Sequence, residues 1–257
     1  MAGKKLNLIS ADKTPVPAIH FRRGGVRLIV ASHGITAEKT EGGLYNRLIE
    51  QLPPDYDAVL FDFRGHGDSP LSSIDVTIAG ELLDLMAVFN WARAQNYSSI
   101  DYVATSFGAS IGLLAVDAYG LEILRKVAFW NPVISYRNTF INSTVEWGKE
   151  FFNQKNVYEL SSRPFTKIVE EKFRISALMT QELLLLHPER VKWPTSIPLL
   201  ILHGDSDSLV PVDDAKRYAH DNGAKLKIFE GVDHGFEHAT NEAILYTILW
   251  LQDENPS

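Results

Sequence analysis

The chain has 257 residues, 45% of them hydrophobic and 22% charged, enough to bury one large core and consistent with a single α/β domain carrying an insertion. Its net charge of −7 leaves no basic footprint for a phosphate backbone or an anionic lipid surface, so nucleic acid is not an expected partner. The absence of cysteine removes disulfides, thiolate nucleophiles and cysteine–zinc sites together.

Residues 1–5 are basic, but the apolar stretch that follows, residues 6–9, is too short for the core of a signal peptide. No run reaches the roughly 18 apolar residues of a membrane span. The expectation is a soluble, cytoplasmic protein without stable membrane insertion. Residues 5–10 and 18–23, joined through Pro15 and Pro17, predict an antiparallel hairpin at a sheet edge. Short apolar runs at 28–32, 58–63, 100–105, 126–130, 199–202 and 226–229 predict strands, each punctuated by Gly, Pro or Asp. Between them, residues 44–52, 78–96, 107–119, 213–222 and 236–251 carry apolar side chains at helical spacing. Near-continuously apolar strands alternating with helices predict a mostly parallel sheet covered on both faces.

The alternation fails once, between Ile134 and Ser196, an interval longer than an ordinary connection. Trp147, Phe151 and Phe152, then Phe165, Ile168, Val169 and Phe173, then residues 178–186, predict three or four helices before Pro194 returns the chain to the sheet. The division expected is a core of residues 1–133 and 197–257 with a helical cap insertion at 134–196. Most cap aromatics build the cap's own core. Trp147 and Phe152 are the candidates for lining an acyl pocket beneath it.

Residues 99–109 run from an apolar strand through Ser106 into an apolar helix, the layout of a nucleophile elbow. The sharp turn forces the serine into a strained backbone conformation, and Ala104, Gly108 and Ala109 are small enough for strand and helix to approach. A serine hydroxyl needs a base and an orienting acid. Both follow downstream: Asp205 and Asp207 after the strand ending at Leu202, and His234 after the strand ending at Phe229. Asp205 is suited to binding turn amides, whereas Asp207, further out, is better placed to reach His234. His238 is the rival base. His20, His187 and His220, in polar surroundings, read as surface residues. Acyl transfer also needs donors for the oxyanion. Those assigned are the backbone N–H groups of Ile35, in the loop after an early strand, and Phe107, after the serine. Gly34 allows a tight turn beside the substrate, and His33 pins that loop. Residues 62–69 brace neighbouring loops. The histidines and carboxylates lack metal-ligand spacing, and no metal or cofactor is implied.

With His33-Gly34, residues 62–69, Ala104-Thr-Ser-Phe-Gly108, residues 203–211 and Asp233-His234-Gly235 on the page, the chain resembles the α/β-hydrolase superfamily over nearly its whole length. It looks most like small bacterial carboxylesterases of the cinnamoyl or feruloyl type. It is also similar to the acyl-carrier-protein thioesterase or transferase of luminous bacteria, whose nucleophile motif likewise begins with alanine. The resemblance implies an α/β-hydrolase fold, Ser106 as nucleophile, Asp207 as acid, His234 as base, and Ile35 and Phe107 as oxyanion amides. The function expected is hydrolysis of small or medium acyl or aryl esters. Acyl-thioester hydrolysis or acyl transfer is the alternative, and a non-catalytic binding protein on the same fold stands last.

Overall fold

The computed structural model describes residues 3–151, 165–168 and 173–253. The strands are β1 (Lys4–Ile9), β2 (Pro15–Phe21), β3 (Arg27–Ser32), β4 (Tyr56–Phe61), β5 (Ser99–Thr105), β6 (Leu124–Trp130), β7 (Phe165–Ile168), β8 (Phe173–Ser176), β9 (Leu199–Gly204) and β10 (Lys225–Phe229). The helices are α1 (Leu44–Gln51), α2 (Ile78–Arg93), α3 (Ser106–Tyr119), α4 (Glu146–Phe151), α5 (Ala177–Leu185), α6 (Val212–Asn222) and α7 (Thr240–Gln252).

Eight strands form one sheet in the order β1-β2-β4-β3-β5-β6-β9-β10. The pairs β1·β2 and β2·β4 are antiparallel, and every pair from β4·β3 to β9·β10 is parallel. Successive strand residues face opposite sides, so a sheet buried on both faces needs apolar side chains at every position. Leu28, Val30, Tyr102, Ala104, Val127, Phe129 and Ile201 pack on one side with α2, α3 and α6. Ile29, Ala31, Val103, Ala128, Trp130, Leu200 and Leu202 pack on the other with α1 and α7. This is the α/β-hydrolase architecture. Among the described residues no helix is long and apolar enough to cross a membrane.

Two regions depart from expectation, β2 and the segment between β6 and β9. His20 is buried, not on the surface: β2 is an inner strand, and the ring meets the Tyr97 hydroxyl at 2.7 Å and the edge of Trp91. Burial lowers its pKa. The prolines, read as a connection, lie within β2, where Pro17 pairs with Asn7 and its carbonyl accepts the Asp62 amide. Second, the segment between β6 and β9 is not purely helical. Besides a π-helical turn at Arg137–Ile141, α4 and α5, it carries an antiparallel pair, β7·β8, where a helix was expected. Phe173 and Ile175 are buried while Arg174 between them is exposed, the two-residue period of a strand.

Candidate active site

Parallel strands deliver their C-terminal ends to one edge of the sheet, and the candidate residues lie in the loops there. Ser106 begins α3 directly after β5 with φ of 48°, a left-handed conformation that L-residues other than glycine rarely adopt. The small neighbours have definite steric reasons. A Cβ on Gly108 would lie 2.4 Å from the His33 carbonyl oxygen, so glycine lets α3 close against the end of β3. A Cβ on Gly34 would lie 2.9 Å from that of Ser106, which keeps the His-Gly loop beside the serine. Ala104 is fully buried.

The loop after β9 separates the two aspartates. Asp205 accepts the Gly231 amide at 2.7 Å and the Ser206 hydroxyl, bracing a turn. Asp207 is wholly buried at its side chain. Its Oδ1 accepts the amides of Leu209 and Val210, both at 2.8 Å, and its Oδ2 lies 2.8 Å from His234 Nδ1 and 3.1 Å from His203 Nε2. Burial alone would raise the Asp207 pKa, but the hydrogen bonds and charge of His203 and His234 outweigh it and hold the carboxyl well below the usual range. The sequence offers His203 only as part of a motif; in the structure it is fully buried and supplies the carboxylate with a second imidazole. Asp233 ties the two loops together, accepting the Ser208 amide and hydroxyl and the His234 amide. His238 and His220 are exposed, and His187 is half-buried against Glu189.

The loop after β3 is held from both sides. The Phe63 amide can only donate, so His33 Nε2 accepts from it at 3.1 Å and Nδ1–H donates to the Gly34 carbonyl. Burial lowers the His33 pKa to about 4 and keeps the ring neutral. Glu41, which carried no signal in the sequence, accepts the Gly34 amide at 2.6 Å and the Thr105 hydroxyl through the same oxygen, Oε2. Its pKa is raised, because desolvation outweighs those hydrogen bonds and the His234 charge. Farther out, Asp62 accepts from Lys39 Nζ at 2.6 Å and from the Asp68 amide, and Arg64 pairs with Asp84 and Asp12, so the charges of residues 62–69 brace loops.

Ser106 and His234 line one cavity of about 1010 Å³ together with Gly34, Ile35, Glu41 and Trp147. Phe107 is buried behind the serine, stacked on Tyr136. The Trp147 indole donates to the Leu209 carbonyl at 2.6 Å. Phe152 lies outside the described residues. Among the described residues no group of three His, Asp or Glu side chains is arranged to hold a metal ion.

The sequence matches the Alpha/beta hydrolase family over residues 29–244, and the chain belongs to that family. Solved structures share the fold at low identity. Est1E from Butyrivibrio proteoclasticus with ferulic acid bound superposes with a TM-score of 0.79 at 17% identity, covering 96% of this chain and 98% of that one. The Pyrococcus furiosus esterase Pf2001 gives 0.71 at 17% identity, covering 98% and 90%. The α/β-hydrolase GrgF from Penicillium sp. sh18 gives 0.77 at 15% identity, covering 97% of each chain. No curated protein matches the sequence.

Proposed function

We propose that the protein is a serine hydrolase that cleaves carboxylic esters of small or medium acyl or aryl acids, cinnamoyl-like esters included, through an acyl-enzyme on Ser106, and that it acts in the cytoplasm. The observation that carries this reading is the pairing of His234 with a buried Asp207 on the wall of the cavity that also holds Ser106. With Nδ1–H directed at Asp207, Nε2 of His234 is the basic nitrogen. It takes the Ser106 proton as the hydroxyl oxygen attacks the ester carbonyl, and Asp207 stabilises the imidazolium. The amides of Ile35 and Phe107 hold the developing oxyanion. The leaving alcohol takes the proton from His234, which then activates water to release the acid. Residues 134–196 act as a cap that selects the acyl or aryl group, and Trp147 and Phe152 are the residues assigned to that selection. The ferulic acid held by Est1E is of the aryl-acid shape this reading includes.

A fluorophosphonate probe followed by peptide mass spectrometry tests the assignment. Label is expected on Ser106 alone, and Ser106→Ala should fold normally yet lose on the order of 10⁴ to 10⁶ in kcat on a p-nitrophenyl ester. Label on another residue, or a variant keeping more than about a tenth of wild-type activity, ends this reading.

A further inference from the structure

We propose that Glu41 is a positioning residue for the oxyanion hole, its carboxylate tying together the two chain segments that carry the Ile35 and Phe107 amides. This rests on the ester-hydrolase reading of the site. Gly34 immediately precedes Ile35, and Thr105 stands two residues before Phe107. The segments leave the ends of adjacent parallel strands, with Ser32 in register with Ala104, but neither loop continues the ladder that would fix their separation. Oε2 of Glu41 spans the gap, accepting the Gly34 amide from one side and the Thr105 hydroxyl from the other.

Three features make the bridge a built one. An acceptor that takes both donors on a single oxygen holds them a fixed distance apart, and hydrogen bonds to a charged acceptor are the stronger kind. The Tyr45 hydroxyl adds a second tie, donating to the Ser32 carbonyl at 2.7 Å and lying 3.2 Å from Thr105 Oγ1. Finally, Thr36, Glu41 and Ser106 all hold positive φ, at 69°, 50° and 48°, so the backbone on each side of the bridge sits where unassisted L-residues do not rest. Glu41 lines the cavity beside Ser106 and His234, so it acts where the oxyanion would form.

The test measures kcat and KM on p-nitrophenyl acetate, and the Ki of phenylboronic acid, which adds to a serine oxygen and sets one of its own oxygens among the oxyanion donors. Glu41→Ala should lose about 100-fold in kcat, the scale of one misplaced oxyanion donor, with little change in KM and a parallel rise in Ki. Glu41→Gln, whose carbonyl oxygen accepts the same two bonds, should recover most of the loss. Thr105→Val should cost about tenfold, the worth of one hydrogen bond to a charged group. If Glu41→Ala does not fold, the glutamine and valine variants carry the test. A wild-type kcat in the alanine or valine variant overturns the proposal. So does a fall in kcat with Ki unmoved, or a glutamine variant as poor as the alanine one. A wild-type protein that a fluorophosphonate does not label at Ser106 removes the hydrolase reading itself, and this proposal with it; a labelled wild type with an unaffected Glu41→Ala removes this proposal alone.

Discussion

The loops after β9 and β3 each bring a desolvated carboxylate within the electrostatic reach of His234, and their surroundings drive the two acids in opposite directions. Asp207 receives two backbone amides on one oxygen and two imidazoles on the other, and its pKa falls. Glu41 receives one amide and one hydroxyl, both on Oε2, and desolvation wins, so its pKa rises. Burial penalises charge in both places. What separates them is the number of donors: two amides and two imidazoles reach Asp207, where the hydrogen bonds outweigh desolvation, whereas one amide and one hydroxyl reach Glu41, where they do not.

Removing the charge from Asp207, with its loop neighbour Asp205 as the control, is the sharpest way to break this contrast. Asp207→Asn should cost on the order of 10⁴ in kcat, since the amide would favour the wrong imidazole tautomer. Asp205→Asn, which disturbs only the turn at Gly231, should leave kcat close to wild type. Steady-state kinetics on both variants decide it, and equal damage from the two would assign the acid role to the wrong residue.

Thermal melts across pH extend the contrast to stability. A carboxyl with a depressed pKa stabilises the fold above the ordinary carboxylate range of about 4, and that contribution drains away as pH falls below it. For a carboxyl with a raised pKa the sign reverses: the folded state favours the protonated form, and stability declines as pH rises above the ordinary carboxylate range toward the raised pKa. Asp207→Asn should therefore lower Tm at neutral pH and show less further loss on acidification than wild type. Glu41→Gln should hold or raise Tm at neutral pH, because the amide keeps both hydrogen bonds without a buried charge. A drop in Glu41→Gln as large as that in Asp207→Asn would erase the distinction.

The smallest effect concerns the cavity wall. Trp147→Ala should shift the preferred chain length in a series of p-nitrophenyl esters, graded by about 1–3 kcal/mol per methylene and not all-or-none. A uniform fall on every ester would make Trp147 a structural residue only.

The strands of the main sheet were legible because burial on both faces leaves nearly continuous apolar runs, and the elbow was legible because close approach of β5 and α3 demands small residues around Ser106. The choice of Asp207 over Asp205 rests on reach along the loop; in the structure Asp207 Oδ2 lies 2.8 Å from His234 Nδ1, while Asp205 accepts the Gly231 amide. Other features depend on contacts that local pattern does not encode. Glu41 meets Thr105, far away in the chain, and nothing in its neighbours marks it as different from a solvated acid. His20 looks exposed beside Arg22 and Arg23, yet strand alternation on an inner β2 turns it inward. The β7·β8 pair reads as helix in the sequence because short segments with scattered aromatics satisfy either period until the pairing partner is known.

Leu209 occupies a junction. Its amide donates to Asp207 Oδ1, while its carbonyl accepts the indole N–H of Trp147 from the segment between β6 and β9. One peptide unit on either side of this residue thus connects the cavity wall to the acid beneath the histidine. On the proposed ester-hydrolase reading, a guest that displaces the indole would disturb the same short linkage that seats Asp207, so an oversized acyl group would be penalised twice: once for poor fit, and again through the proton-handling pair. Selection by size at this wall would then register in turnover as well as in occupancy.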